Sequence, residues 1–439
     1  MPTKPAASGA SQWEGAFAGI VGLFLALVLL KLGNPVIMDD RVSSPTTFLE
    51  LVLGSWPMRW GFVMLGMVLV LGFRFWRWPT GISRWCTALP AIWLGWQFVA
   101  ALTTVDDRLT RATLPHFAAC AVLFYFGLAV ISNVRPLRPL WIGLVGGLLV
   151  VFAVGWRQHF GGLEETRQFL RSLPNWQNLP KEFLDKVASD RIYSTLVYPN
   201  TLAGVVVLLS PLGIAFAWNA GRRISTAWGW GAAGGMATLG LGCLYWSGSK
   251  AGWLIALVQM SSVVFSKLSS RFLRILLIVV VATVGIGGFW LKHGDYFEKG
   301  ASSASARISY WTAALITLKE SPIIGSGPGT FMIRYQALKS PEAEMARLAH
   351  NDFLQQGSDS GWVGLFSYSM WFLAVIFILY RNSIKSRTML SVWLGLFGVF
   401  MQGFVDFSLY VPAVSWISFL LAGWLWSTTN QIDKPISRS

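Results

Sequence analysis

Four polar positions in this apolar chain have the side-chain chemistry for a reaction. They are Arg191 in SDRIYSTLVYPNTLAG, Lys250 in WSGSKAGWL, Arg307 in SASARISYW and His350 in RLAHNDFLQQGSDSGWVGLF. A guanidinium offers a planar fork of donors to phosphate oxygens, and an ammonium offers a point charge. Histidine titrates near neutral pH, so it can take a proton from a hydroxyl. Each position also has a plainer reading. Arg191 can pair with Asp190 or lipid headgroups, Lys250 can snorkel, Arg307 can be a solvated loop charge, and His350 can simply sit at an interface. Taken together they describe an anion, with pyrophosphate the best fit, held beside a base.

The elements that must position them come from composition. The chain has 439 residues, 54% hydrophobic and 13% charged, against roughly 25% charged in soluble domains. That is an all-α, polytopic membrane protein. About twelve segments approach the roughly 20 residues a spanning helix needs, with cores at 15–33, 58–76, 86–104, 112–131, 138–156, 199–218, 226–246, 251–267, 273–292, 360–380, 389–405 and 410–427. The first reads as a retained span rather than a removed signal peptide. Cys86, Cys120 and Cys243 show neither disulfide nor zinc spacing. The net charge of +15 reads as membrane anchoring, not nucleic-acid binding.

Alternate short connections are basic: Arg74, Arg77 and Arg84; Arg135 and Arg138; Arg222 and Arg223; Lys267, Arg271 and Arg274; Arg381, Lys385 and Arg387. Lys4, Lys434 and Arg438 fall on the same side, with Asp433 its one acidic residue. The positive-inside rule makes that side cytoplasmic, with both termini there. The two long polar connections, 157–198 and 293–350, then lie outside one membrane domain covering 1–439, together with Asp39, Asp40, Asp106, Asp107 and the four histidines, His116, His159, His293 and His350. Substrates on that face must arrive already activated, and a lipid-linked donor is the form expected. In the second loop, SASARISYWTAALITLKESP reads as a helix capped by Ser303 or Ser305, with Arg307 in its first turn against the dipole. GSGPG (325–329) reads as a tight turn.

The order RIYSTLVYPNTLAG, SGSKAGWL, SARISYW to SPIIGSGPGTFMIRY, then AHNDFLQQGSDSGWVG resembles the O-antigen ligase and polymerase superfamily of bacterial membrane glycosyltransferases. The motifs cover roughly residues 190 to 366. The resemblance implies a GT-C-like bundle with a large helical periplasmic loop. It also implies a polyprenyl-pyrophosphate-linked glycan donor and an acceptor hydroxyl on lipid A–core, a growing polymer or a protein. Arg191 and Arg307 match arginines linked to the donor pyrophosphate, and His350 matches a histidine taken as base on the acceptor. Lys250 stands where the family usually has Ser-Arg-Gly, and Asp359 where a glutamate is commoner.

Without a metal or other cofactor, Arg191, Arg307 and Lys250 would stabilise the leaving pyrophosphate. His350, at the start of a span, would be kept neutral by the helix dipole, with Asn351 or Asp352 fixing its tautomer. Tyr310 and Trp311 are the aromatics placed to stack on sugar. An O-antigen ligase is the first reading; an O-antigen or exopolysaccharide polymerase and a protein O-oligosaccharyltransferase are the alternatives. A polysaccharide transporter or flippase is the rival class. It would carry charges deep in several spans, whereas here they gather at one face.

Overall fold

The computed structural model describes residues 8–431, except residue 83, 173–175, 179–183, 185–186, 268–269, 271, 274, 277–278, 281–282, 284–301, 342 and 385. It is 79% helix, with no strand among the described residues. Six segments are long and apolar enough to cross a membrane: Gln12–Lys31, Met58–Phe75, Asp107–Asn133, Arg138–Ser172, Pro199–Gly221 and Asp352–Tyr380. They contain α1 (Ser8–Lys31), α3 (Met58–Gly72), α5 (Asp107–Ala129), α6 (Arg138–Arg157), α8 (Pro199–Gly221) and α13 (Asp352–Ser383), with the short α2 (Phe48–Leu53) between α1 and α3.

Other expected spans are also helical: α4 (Arg84–Ala101), α9 (Thr226–Ser247), α10 (Lys250–Lys267), α14 (Arg387–Gln402) and α15 (Pro412–Gln431). Among the described residues six helices meet the length and composition of a span, and the others fall short of it. One reason is short length: α14 has 16 residues, and at ~1.5 Å each it falls short of a hydrocarbon core of roughly 30 Å. The expected ninth span, 273–292, lies largely outside the described residues, as do Lys4, His293, Arg271, Arg274, Lys385, Asp433, Lys434 and Arg438.

The last helix is the centre of the bundle. Every side chain from Val411 to Thr428 is buried, so α15 meets protein all round rather than lipid. Small residues let its backbone touch α5. A Cβ on Gly127 would sit 2.1 Å from the Leu420 carbonyl oxygen, and one on Gly423 would sit 1.9 Å from that of Phe124. Close backbone approach of this kind replaces the hydrophobic driving force that lipid cannot supply. The outer surface is apolar instead, as along α3 at Val63, Met67 and Val70.

Two departures from the expected loops shape one end of the bundle. α6 does not stop at 157 but breaks at Phe160 and Gly161 and resumes as α7 (Leu163–Ser172). In the second loop, α11 (Ser302–Glu320) stops before Pro322 as expected, but it starts at Ser302. Arg307 is therefore its sixth residue, beyond the first turn where the dipole would act on it. α12 (Phe331–Leu338) follows the GSGPG segment.

GSGPG is the turn its composition predicts, with positive φ at Gly325, Gly327 and Gly329. It is clamped on two sides. Val105 N donates to Ser326 O (2.9 Å), and Thr110 Oγ1 donates to Pro328 O (3.1 Å). Gly329→Ala would place a Cβ 2.2 Å from Thr113 Oγ1, at a φ of +79°. Overpacking and backbone strain together should cost about 1–3 kcal/mol. A lowered unfolding temperature in detergent is the expected reading; an unchanged one would show that the turn does not anchor the loop.

Candidate active site

The cations are built into the ends of helices. α9 ends at Gly248, in the left-handed conformation with φ +63°, and Gly248 N donates to Tyr245 O. α10 begins at once, with Ser249 Oγ accepting from Gly252 N at 3.3 Å. The Ser-Gly-Ser-Lys sequence is thus a helix stop followed by a helix start, and it leaves Lys250 at the mouth of α10. Arg191 lies across this corner. Its Nε donates to Ser247 O (2.7 Å) and its Nη2 to Asn200 Oδ1 (3.0 Å). A Cβ on Gly248 would come within 3.1 Å of Arg191 Nε.

Asp190 does not pair with Arg191. It is held by Arg167 of α7, whose Nη2 is 2.7 Å from Asp190 Oδ1. The same guanidinium donates to Val187 O, Ala188 O and Ser189 O and pairs with Glu164. The pairing that would have neutralised Arg191 is therefore used elsewhere, and Arg191 keeps accessible surface in a recessed position. Burial, then the charge of Arg307, lowers its pKa, and Asp406 partly offsets them. Lys250 lies within electrostatic reach of both arginines. Arg307, half-buried on α11, has no carboxylate within ion-pair distance among the described residues.

His350 precedes α13. Asn351 caps that helix, its Oδ1 accepting from Leu354 N (3.0 Å) while its Nδ2 donates to Phe404 O (2.9 Å). Asp352 is buried and accepts from Leu409 N at 3.0 Å through Oδ2. Both side chains are thus directed to the 403–410 connection and not to the imidazole. The group facing His350 is Asp406 from that connection, with Oδ1 3.5 Å from Nδ1. The two atoms face each other without hydrogen-bond geometry. Gln402 Nε2 donates to Asp406 Oδ2 (3.3 Å) and to Asn200 O (3.4 Å). Polar contacts therefore run from Arg191 through Asn200 and Gln402 to Asp406 and His350.

Tyr310 is buried against His350, ring centroids 5.8 Å apart, and Phe407 closes the other side at 4.8 Å. Tyr310 thus packs the imidazole and does not face outward to a sugar. Asp359 lies deeper. Its Oδ2 accepts from Gly329 N (2.8 Å), Gln355 Nε2 (2.9 Å) and Tyr410 Oη (2.7 Å), which ties the GSGPG turn to α13. His116 is also structural: Nδ1 accepts from Trp416 Nε1 at 3.0 Å and Nε2 lies 2.8 Å from Leu409 O. That pattern makes it a neutral imidazole protonated on Nε2, and it holds the same 403–410 connection from α5.

The non-glycine residues with positive φ among those described are Ser194 (+55°), Val197 (+63°) and His350 (+50°). All three flank this site. A β-branched valine there is a true outlier, and such conformations persist only where surrounding contacts impose them. Tyr198 N donates back to Leu196 O (2.7 Å) across Val197. Gln158 Oε1 accepts from Tyr193 N and Ser194 N at 3.0 and 2.7 Å.

The site can therefore place several cations on an anion, next to a histidine with a buried carboxylate behind it. Asp406 is absent from the sequence reading. Its signal was available, since it is the only acidic residue between Asp359 and Asp433.

A Haemophilus influenzae protein, described as an "Uncharacterized protein", is 28% identical over 161 residues, 31% of this chain and 40% of that protein. The chain thus spans less than two thirds of that relative's length. Residues 235–369 match the family described as O-Antigen ligase; Lys250, Arg307, His350 and Asp359 lie inside the match, and Arg191 and Asp406 outside it. Over that segment, the chain is similar to the O-antigen ligase family.

Proposed function

We propose that this chain is an O-antigen ligase, moving a glycan from a polyprenyl-pyrophosphate donor to a hydroxyl of lipid A–core. The observation that carries the reading is the convergence of Arg191, Lys250 and Arg307 beside the His350–Asp406 pair. Like charges gathered at one place favour an anionic ligand. In the proposed step the acceptor oxygen bonds to the anomeric carbon of the donor glycan. The bond from that carbon to the pyrophosphate oxygen breaks, and its electron pair leaves with the pyrophosphate. The three cations stabilise the charge that develops there. The acceptor proton goes to His350 Nε2, because Nδ1 faces Asp406.

The supporting topology is that of the positive-inside reading. In it about twelve spans cross the bacterial inner membrane, both termini are cytoplasmic, and the 157–198 and 293–350 connections are periplasmic. Donor, acceptor and membrane lipids are the partners, and protein cations take the place a metal would fill. The test has two arms. A strain lacking the chain should lose glycan from lipid A–core. Loss of polymer length or of glycoprotein instead would move the chain to the polymerase or protein-glycosylation branch. Purified protein should keep transferring in excess chelator; activity lost there and restored by a divalent cation contradicts the metal-independent step.

A further inference from the structure

The connection from α1 to α3 holds an apolar face that the described residues leave uncovered. It belongs to α2, which buries none of its six side chains against them. Phe48, Leu49, Val52 and Leu53 are 80%, 66%, 49% and 67% exposed. At 3.6 residues per turn these four fall within an arc of about 140°, with Glu50 and Leu51 on the other side. The helix is nonetheless firmly built. Thr47 Oγ1 accepts from Glu50 N (3.2 Å), and Glu50 Oε2 accepts in return from Thr46 N (2.7 Å) and Thr46 Oγ1 (2.9 Å). At the other end the Lys31 ammonium donates to Val52 O and to Gly54 O (3.2 Å), and Trp56 Nε1 donates to Leu51 O (3.0 Å). Closed at both ends, α2 is a fixed mount for its four exposed side chains.

Both flanks of this helix are tied to the ends of spans. Lys31 is the last residue of α1, and its carbonyl also accepts from Trp56 N (2.9 Å). On the other flank, Arg59 near the start of α3 donates from Nη2 to Ser44 Oγ, just ahead of α2. Met58 N, the first of α3, donates to Asp39 Oδ1 (2.8 Å). The helix therefore lies at the level where α1 ends and α3 begins. The end of a span is where acyl chains give way to headgroups. Trp56 and Trp60, rings 5.2 Å apart, are half-buried at the same level, the place interfacial tryptophans favour. From there α3 runs on into lipid with Val63, Met67 and Val70 exposed.

We propose that α2 is an in-plane membrane helix, its Phe48, Leu49, Val52 and Leu53 seated in the boundary between headgroups and acyl chains. Its partner is the lipid surface itself, continuous with the surface that α3 already presents to lipid. A helix of this kind sinks its apolar face about 5–10 Å below the headgroups while its polar side stays at their level. The polar side here backs onto a cavity of about 330 Å³, with Ser43, Glu50, Gly54 and Val197 in its lining. Val197 belongs to the segment that carries Arg191 and holds a φ of +63°. With α2 in lipid, the cavity stands at headgroup depth, between the membrane and the candidate site. The lipid contact is independent of the transferase reading.

The test places nitroxide labels on the full chain in phosphatidylcholine nanodiscs, one chain per disc. Cys86→Ser removes the half-buried native thiol, since Cys120 and Cys243 are buried. Leu49→Cys, Leu53→Cys, Val63→Cys and Ser43→Cys are then added singly; all four positions are exposed. Power saturation compares access of molecular oxygen, which concentrates among acyl chains, with access of an aqueous nickel chelate. Val63 is the depth reference, about 7.5 Å along α3 from Met58, and Ser43 on the cavity rim is the polar one. The oxygen-to-chelate ratio at Leu49 and Leu53 should lie within about threefold of that at Val63 and at least about fivefold above that at Ser43, as burial of the apolar face requires. A ratio outside either bound overturns the proposal. Values near that of Ser43 would put α2 in water, and labels reached by neither reagent would show it covered by protein.

Discussion

His350→Ala is expected to abolish glycan transfer while leaving donor binding within about threefold of wild type. General-base catalysis contributes about 10²–10⁴-fold, and the carboxylates of α13 do not replace the imidazole: Asp352 and Asp359 are buried and hydrogen-bonded elsewhere. The variant should fold, because the imidazole is partly exposed and fills no core position, with 29% of its side-chain surface accessible. Its positive φ puts a mild strain on either residue. Asp406→Asn should fall between the two, since the amide keeps the shape behind Nδ1 but loses the charge that stabilises an imidazolium. Single-turnover assays beside donor-binding isotherms check both. Normal transfer by His350→Ala would remove the base from the mechanism, and loss of donor binding would recast His350 as part of the donor site.

The second large effect concerns Arg307 and has two opposite signs. Among the described residues this guanidinium has no ion pair, and it acts on Arg191 and Lys250 by repulsion. Arg307→Ala should therefore raise the unfolding temperature of the ligand-free protein, by relief worth about 1 kcal/mol for like charges in a partly screened site. The same change should weaken donor binding and transfer about 10²–10³-fold, the scale for loss of one preorganised electrostatic contact. Inorganic pyrophosphate should stabilise wild type in thermal unfolding and stabilise the variant much less. A structural arginine would give the reverse: a less stable variant with pyrophosphate protection intact. Gains in stability bought with function are common where a site is strained for its task.

The reach of sequence reasoning can be seen in particular residues. Lys250 is locatable because Ser-Gly-Ser-Lys is a local device: a glycine stop and a serine start need only their own neighbours. The GSGPG turn is legible for the same reason. The membrane class follows from composition, while helices such as α15, buried by protein, need not meet the apolarity lipid demands. Asp406 escaped since its role arises from tertiary approach. Its connection is pinned by His116 on α5 and Asp352 on α13, contacts no spacing rule encodes. Tyr310 was placed rightly near the site and assigned the wrong neighbour, as its ring turns inward to the imidazole.

Arg167 has a consequence that goes beyond holding a loop. By occupying Asp190 it keeps a carboxylate, one residue along the chain, from the seat proposed for the donor. A ligand competing for Arg191 from solution would face a concentration limit, but Asp190 is tethered and would face none. A protein without that arginine would carry its own competitive inhibitor. Arg167 thus acts as a guard that keeps the Asp190 carboxylate away from the Arg191 guanidinium.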